Sequence, residues 1–290
     1  MKRLNDKNIN EKMVELILEY ERLYNDEFWE MAKNFPPKDF EKLGPDLCGE
    51  RIRKILAPWF TASNDIIGGW TPVEFVGTLS GKDTVDFLEL IYEHSSDVIE
   101  NYAEALKSRK EILFVNLTLA YEKLIKFPEA KPDGLFFELG MLFSLYQDKR
   151  ALDIFIDFVL NAPPEHDDLV DFVHGLILDF GDISTDKLLY NIAEIADSKV
   201  YEGRVENLYS VLSQVGNESD QVFETLIRFF KNAPNKTFAA FCLETYGDER
   251  AIPVMHAWIE KNAAKKAKKD KPVAAEYIDV LSAMKKLGAK

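Results

Sequence analysis

A short phrase occurs four times between residues 133 and 261. It pairs a turn residue with Asp or Asn, as Gln147-Asp148, Gly181-Asp182, Gly216-Asn217 and Gly247-Asp248. Successive Asp or Asn positions lie 34, 35 and 31 residues apart. Each phrase separates two apolar segments of helical periodicity, and a period of this size is typical of helical repeats. The sequence therefore predicts an all-α array of antiparallel helix pairs.

Each phrase also has the chemistry of a turn between two helices. Glycine suits the left-handed conformation that ends a first helix, so we expect that conformation at Gly181, Gly216 and Gly247. The Asp or Asn, or a residue just after it, suits the N-cap of the second helix. Longer loops separate the pairs, and Asn-Ala-Pro recurs at 161–163 and 232–234. The predicted pairs are 134–146 with 150–160, 168–180 with 185–196, 203–215 with 219–231, and 237–246 with 249–261.

The last turn resembles a known repeat family. Its sequence, Tyr246-Gly-Asp-Glu-Arg-Ala-Ile-Pro253, is similar to the Gly-Asp-x-Arg-Ala-Ile-Pro turn of short bacterial HEAT-like units, and Asp148-Lys-Arg-Ala-Leu152 repeats part of it. The resemblance covers about residues 133–261. It implies a right-handed α-solenoid of stacked helix pairs (HEAT-like or ARM-type), in a family that consists mostly of scaffolds and binding surfaces. It implies no activity, because function does not follow from fold alone.

Three regions follow from this interpretation. We expect residues 1–128 to form a helical N-terminal region that packs on the array, residues 129–261 to form the repeat array, and residues 262–290 to form a Lys-rich linker with a C-terminal capping helix. In the first region we expect helices at 8–24, 26–34, 46–56 and 111–127, and either one helix over 83–109 or two helices with a break near 95–97. The 111–127 helix is apolar on most sides, which predicts that other helices cover it.

Residues 57–74 interrupt these helices with Trp59, Trp70 and a Gly68-Gly69 pair. One interpretation is a binding loop with two exposed Trp; the other is a turn whose aromatic rings cover the core. Thr71-Pro72-Val73-Glu74 has the residues of a helix start. The phrase 68–74 resembles a Gly-Gly-x-Thr-Pro-x-Glu turn of helical antitoxin domains, which leaves a toxin-neutralising or regulatory protein as an alternative.

Charge restricts the choice of partners. The chain has 36 Lys/Arg and 50 Asp/Glu, a formal net charge of −14. Residues 129–260 carry 10 Lys/Arg and 24 Asp/Glu, whereas 261–290 carry 9 and 3. Such an acidic body repels phosphate backbones and anionic membranes, so we expect a basic or amphipathic protein or peptide partner, with no nucleic acid and no membrane. The Lys-rich stretch 261–271 is either a basic patch or a solvated linker.

The sequence predicts no catalytic, cofactor-binding or metal-binding residues. The densest group of titratable side chains is Glu165-His166-Asp167-Asp168, followed by Asp171 and His174. It could ligate a metal, but an acidic helix N-terminus explains it more simply. A helical-repeat DNA glycosylase is a further alternative, disfavoured because such enzymes need a basic groove. Two distant cysteines and the absence of a signal-peptide or membrane-span pattern favour the cytoplasm.

Overall fold

The computed structural model describes residues 9–34, 37–94, 99–127, 129, 134–198, 203–216, 219–267 and 271–288. Within these ranges the chain is all-helical, with fifteen α-helices and no strand. One isolated backbone bridge joins Asn64 to Trp70. The chain divides into two compact units, Met1–Gln147 and Asp148–Lys290.

The first unit contains seven α-helices in its described part. They are α1 (Ile9–Asn34), α2 (Pro37–Leu56), α3 (Pro72–Val76), α4 (Gly81–His94), α5 (Ile99–Leu106), α6 (Lys110–Lys126) and α7 (Gly134–Leu145). Helix α1 packs against α2 and α4, and α7 packs against α4, α5 and α6. Their shared core includes the fully buried rings of Phe75, Phe87, Phe136 and Phe143.

Three expectations for this unit are wrong. Helix α2 begins at Pro37, nine residues before the predicted start at 46. The predicted helices 8–24 and 26–34 are one helix, α1, because no Gly or Pro interrupts residues 9–34. Helix α6 is not covered on all sides, because Ile112, Val115 and Leu119 are 44%, 56% and 58% exposed. Its buried side, in contrast, carries leucines such as Leu113 and Leu117. The predicted 83–109 segment forms two helices, α4 and α5, and residues 95–98 between them lie outside the described ranges.

The second unit contains eight α-helices in its described part. They are α8 (Lys149–Asn161), α9 (Asp167–Asp179), α10 (Thr185–Ser198), α11 (Gly203–Val215), α12 (Asp220–Asn232), α13 (Lys236–Tyr246), α14 (Ile252–Ala267) and α15 (Lys271–Lys286). The first helices of successive predicted pairs pack on one another, α9 on α11 and α11 on α13. Helix α15 packs on both α13 and α14. The rings of Phe155, Phe158, Phe229 and Phe230 form much of this core.

The turns at Asp148 and Asp248 have the same structure. Each Asp accepts a hydrogen bond from the backbone N–H of the Arg two residues later, at 3.1 Å for Arg150 and 2.9 Å for Arg250. Each carboxylate also accepts from Nε and Nη2 of that Arg. The residue before each Asp is left-handed, with φ of 52° at Gln147 and 81° at Gly247. One sequence pattern, Asp-x-Arg-Ala, therefore forms one local structure twice.

The other two turns differ from the expected form. Gly181 is left-handed (φ 52°) as expected, but a short 3-10 turn follows it and α10 begins at Thr185. Gly216 is not left-handed. A Cβ there would lie 2.6 Å from a methyl carbon of Val222, so close packing is what requires glycine. Asn217 lies outside the described ranges, and Ser219 caps α12 by accepting from the Val222 N–H.

The two Asn-Ala-Pro segments also end their helices in the same way. Ala162 has φ −56° and ψ 138° and donates its N–H to the Phe158 carbonyl. Ala233 has φ −57° and ψ 137° and donates to the Phe229 carbonyl. Both alanines are buried. Helices α8 and α12 therefore share an end structure as well as a place in the predicted pairs.

Candidate functional site

A cleft of about 540 Å³ lies between the beginnings of α9 and α11. A single 3-10 turn, Pro164–His166, leads into α9, which starts at Asp167. The described residues that line the cleft are Pro164, Asp167, Asp168, Val170 and Asp171 from the α9 side and Arg204 and Asn207 from α11. Carboxylates at the start of a helix face the positive end of its dipole, which explains how three of them gather here.

One of these carboxylates is paired. Arg204 donates from Nη2 to Oδ1 of Asp167 at 2.6 Å, which joins the first turn of α11 to the first turn of α9. The Arg204 side chain is only 23% exposed, and its Nη1 atom is buried without a hydrogen-bond partner among the described residues. The guanidinium thus retains an unused donor beside the cleft.

The other two carboxylates are unpaired. Asp168 and Asp171 are exposed, lie three residues apart on α9, and form no ion pair within the described part of the chain. His174 follows on the same helix, but burial lowers its pKa, against the opposing effect of Asp171. A neutral His174 at pH 7 leaves the charge of Asp171 uncompensated. With three Asp and one Arg in its lining, the cleft carries a net charge of −2 and attracts cations.

The structure separates the titratable cluster noted in the sequence. Asp167, Asp168 and Asp171 line the cleft, whereas Glu165 is exposed elsewhere on the turn and His166 is buried. The Nε2 atom of His166 has no hydrogen-bond partner in the described part of the chain. No three His, Cys, Asp or Glu side chains lie close enough to hold a metal ion within the described ranges. What the geometry provides is a carboxylate-lined cleft with one guanidinium.

Arg204 and Asn207 were missed as site residues in the sequence. They follow Asp167 by 37 and 40 residues, and α11 brings them back because it packs directly against α9. The repeat spacing was the available signal, since equivalent first helices of neighbouring pairs come together in a stacked array.

The chain matches no protein-family model, no curated protein and no solved structure.

The loop before α3, which carries Trp59 and Trp70, is held against α1. Glu19 of α1 accepts hydrogen bonds from Trp59 Nε1 at 3.2 Å and from Asn64 Nδ2 at 2.5 Å. The ring of Trp59 packs on Tyr20 and Phe60, and Trp59 and Trp70 are both half-buried. This geometry favours the core-covering interpretation over a loop with two exposed Trp. The Thr71–Glu74 start of α3 is a reciprocal capping box, as the sequence predicts.

The remaining sequence candidates lie apart from the cleft. In the first unit, Nδ1 of His94 lies 3.6 Å from Oε2 of Glu21. On α14, Nδ1 of His256 lies 3.7 Å from Oε1 of Glu260. Trp258 packs against Phe230. The side chains of 264–274, which include most of the Lys-rich stretch, lie outside the described residues.

The remaining findings concern the two cysteines and the length and apolarity of the helices. Cys48 and Cys242 are buried and free. Burial raises the pKa of the Cys242 thiol to about 12, which leaves it unreactive at neutral pH. Within the described ranges, no helix combines the length and apolarity needed to cross a bilayer.

Proposed function

We propose that this chain is a non-enzymatic interaction protein of the cytoplasm, and that the α9–α11 cleft binds Lys or Arg side chains of a basic or amphipathic protein. The observation that carries this proposal is the pair of exposed carboxylates, Asp168 and Asp171. Among the described residues, Asp167 alone of the three cleft carboxylates has a cationic partner. A partner's cation would complete the pairing that Arg204 begins.

The surroundings of the cleft support the same partner chemistry. Residues 151–206 contain 13 Asp/Glu and 3 Lys/Arg. Two of those three cations are already engaged within the unit, Lys187 with Asp153 and Arg204 with Asp167. A field of one sign accelerates association with oppositely charged partners and disfavours phosphate backbones. The DNA glycosylase alternative therefore has no support in this cleft.

The proposed scaffold is a HEAT-like α-solenoid over residues 129–261. Three features support it: the identical clamps at Asp148 and Asp248, the identical helix ends at Ala162 and Ala233, and the succession of α9, α11 and α13. A stacked array places equivalent helix starts side by side, and two such starts form this cleft.

The test is affinity capture from the native cell extract with two charge-reversed variants. Asp168→Lys/Asp171→Lys changes the cleft. Asp182→Lys/Asp186→Lys makes the same charge change at two exposed acids, one in the 3-10 turn before α10 and one in its first turn, and is the matched control. We expect proteins captured by the wild type to be lost with the cleft variant and retained with the control. Equal capture by all three forms, or no capture by any, contradicts the proposal.

A further inference from the structure

A second, smaller groove lies between α10 and α12, above α11. Its volume is about 120 Å³. Leu189 and Ile192 of α10 and Tyr209 of α11 form its floor, and all three are buried. The Tyr209 ring is stacked on Phe229 with centroids 3.9 Å apart, which fixes the floor in place. The walls are Ala193 on one side and Gln221, Glu224, Thr225 and Arg228 on the other.

The α12 wall of the groove carries two charged side chains that form no ion pair within the described residues. Glu224 and Arg228 are exposed and one helical turn apart, yet neither forms an ion pair within the described residues. Both also line an adjoining depression with Phe223, Ile227 and Lys231. In contrast, Arg250 on the same unit is paired with Asp220 and Asp248. The groove thus offers a free cation, a free anion and an apolar floor within one small volume.

The size of the groove restricts what can enter it. An engineered apolar cavity of about 150 Å³ holds one benzene molecule, so about 120 Å³ suits a single aliphatic side chain. Arg228 can hold a carboxylate through two parallel N–H donors. Glu224 can accept from an N–H group. The complementary ligand therefore carries a carboxylate, an N–H donor and an aliphatic group only a few bonds apart.

We propose that the α10–α12 groove binds the C-terminal residue of a partner chain when that residue is Leu, Ile or Val. A chain terminus of this kind has its carboxylate and amide N–H on the carbon atom that bears the side chain. The carboxylate pairs with Arg228, the amide N–H donates to Glu224, and the side chain contacts Leu189 and Ile192. The acidic surroundings, 13 Asp/Glu against 3 Lys/Arg in residues 151–206, oppose a run of acidic residues more strongly than a single carboxylate, whose charge Arg228 offsets.

The test uses N-acetyl-L-leucine, which reproduces a chain terminus, and N-acetyl-L-leucinamide, which lacks the carboxylate. Titration is followed by NMR on the methyl groups of Leu189 and Ile192. We expect N-acetyl-L-leucine to shift these signals with a dissociation constant of about 1–10 mM, as its size allows. The amide and Arg228→Gln should each weaken binding at least about tenfold. Lys149→Gln, which removes an exposed cation outside the groove, is the matched control.

Three results overturn the proposal: equal binding of the amide, no shift of these methyl groups at about 20 mM N-acetyl-L-leucine, or tighter binding of free L-leucine, which would assign the groove to an amino acid. Binding in the α10–α12 groove does not depend on the α9–α11 cleft, because the two sites share no lining residue. The Asp168→Lys/Asp171→Lys variant should bind N-acetyl-L-leucine as the wild type does, so either proposal can fail without the other.

Discussion

The turns at Asp148 and Asp248 form the same clamp in different surroundings. Asp148 is more buried, with 8% of its side chain exposed against 20% for Asp248. At the second turn Arg250 also pairs with Asp220 at 2.7 Å, and its guanidinium carbon lies 4.4 Å from the centre of the Phe223 ring. The left-handed residue is glutamine in one turn and glycine in the other. Asp-x-Arg-Ala therefore determines the turn, and glycine only makes it less strained.

The largest difference between the turns should appear when each Asp is replaced by Ala. We expect Asp148→Ala to lower the free energy of unfolding by about 2–3 kcal/mol, because an N-cap and a buried charge-assisted hydrogen bond are both lost. Asp248→Ala should cost about 1–2 kcal/mol, since its carboxylate is more solvated. Urea denaturation followed by circular dichroism measures both. Equal losses would show that burial does not distinguish the two clamps.

Exchanging the left-handed residues should have a smaller effect. Gly247→Gln should lower the free energy of unfolding by about 1 kcal/mol. Backbone strain alone causes this loss, since a Cβ at this position would have no atom within 4 Å. Gln147→Gly should stabilise the protein by about 0.5 kcal/mol, because relief of that strain exceeds the added entropy of glycine in the unfolded chain. The same denaturation experiment measures both changes. A stabilising Gly247→Gln would contradict the account of these turns.

The smallest effect is the pH dependence of the second clamp. Hydrogen bonds from Arg250 hold the pKa of Asp248 below its usual value. The ionised carboxylate therefore stabilises the fold fully above the usual pKa of about 3.9, and this contribution is lost as the pH falls through the lower, folded pKa. Asp248→Asn keeps an N-cap acceptor, but it removes the charge and one of the two oxygens that accept hydrogen bonds from Arg250.

We expect wild type and Asp248→Asn to differ in unfolding free energy by less than about 1 kcal/mol at pH 7. That difference should stay constant down to about pH 5 and shrink toward zero below about pH 3. Urea denaturation across this range checks it. A difference that persists unchanged at pH 2 would show that the Asp248 charge is not responsible.

The fold class was predictable because turn chemistry and helical periodicity are local. Asp248 with Arg250, the cap at Thr71 and the helix end at Ala233 all follow from residues within four positions of one another. Gly216 shows the limit of this reasoning. Its glycine is required by contact with Val222, a side chain on the next helix, and not by the left-handed conformation that the repeat predicted.

Only half of the candidate site was predictable from the sequence. Asp167, Asp168 and Asp171 stand out in the sequence as an acidic helix start, but their meaning depends on Arg204 and Asn207 of α11. That pairing is a packing result: the repeat spacing indicates that α9 and α11 are neighbours, but it does not specify which of their side chains meet. The exposed side of α6 was missed for a similar reason, since apolar residues all round a helix do not reveal which neighbours it has.

We propose that the exposed carboxylates of the α9–α11 cleft, Asp168 and Asp171, bind a basic partner. The direct measurement is fluorescence anisotropy with a labelled amphipathic peptide that repeats Leu-Lys-Lys-Leu-Leu-Lys-Leu, at about 150 mM salt. We expect Asp168→Lys/Asp171→Lys to weaken binding at least about tenfold, about 1.4 kcal/mol, whereas Asp182→Lys/Asp186→Lys should change it less than about threefold. Equal weakening by the two variants would contradict the claim, because net charge alone would then account for binding.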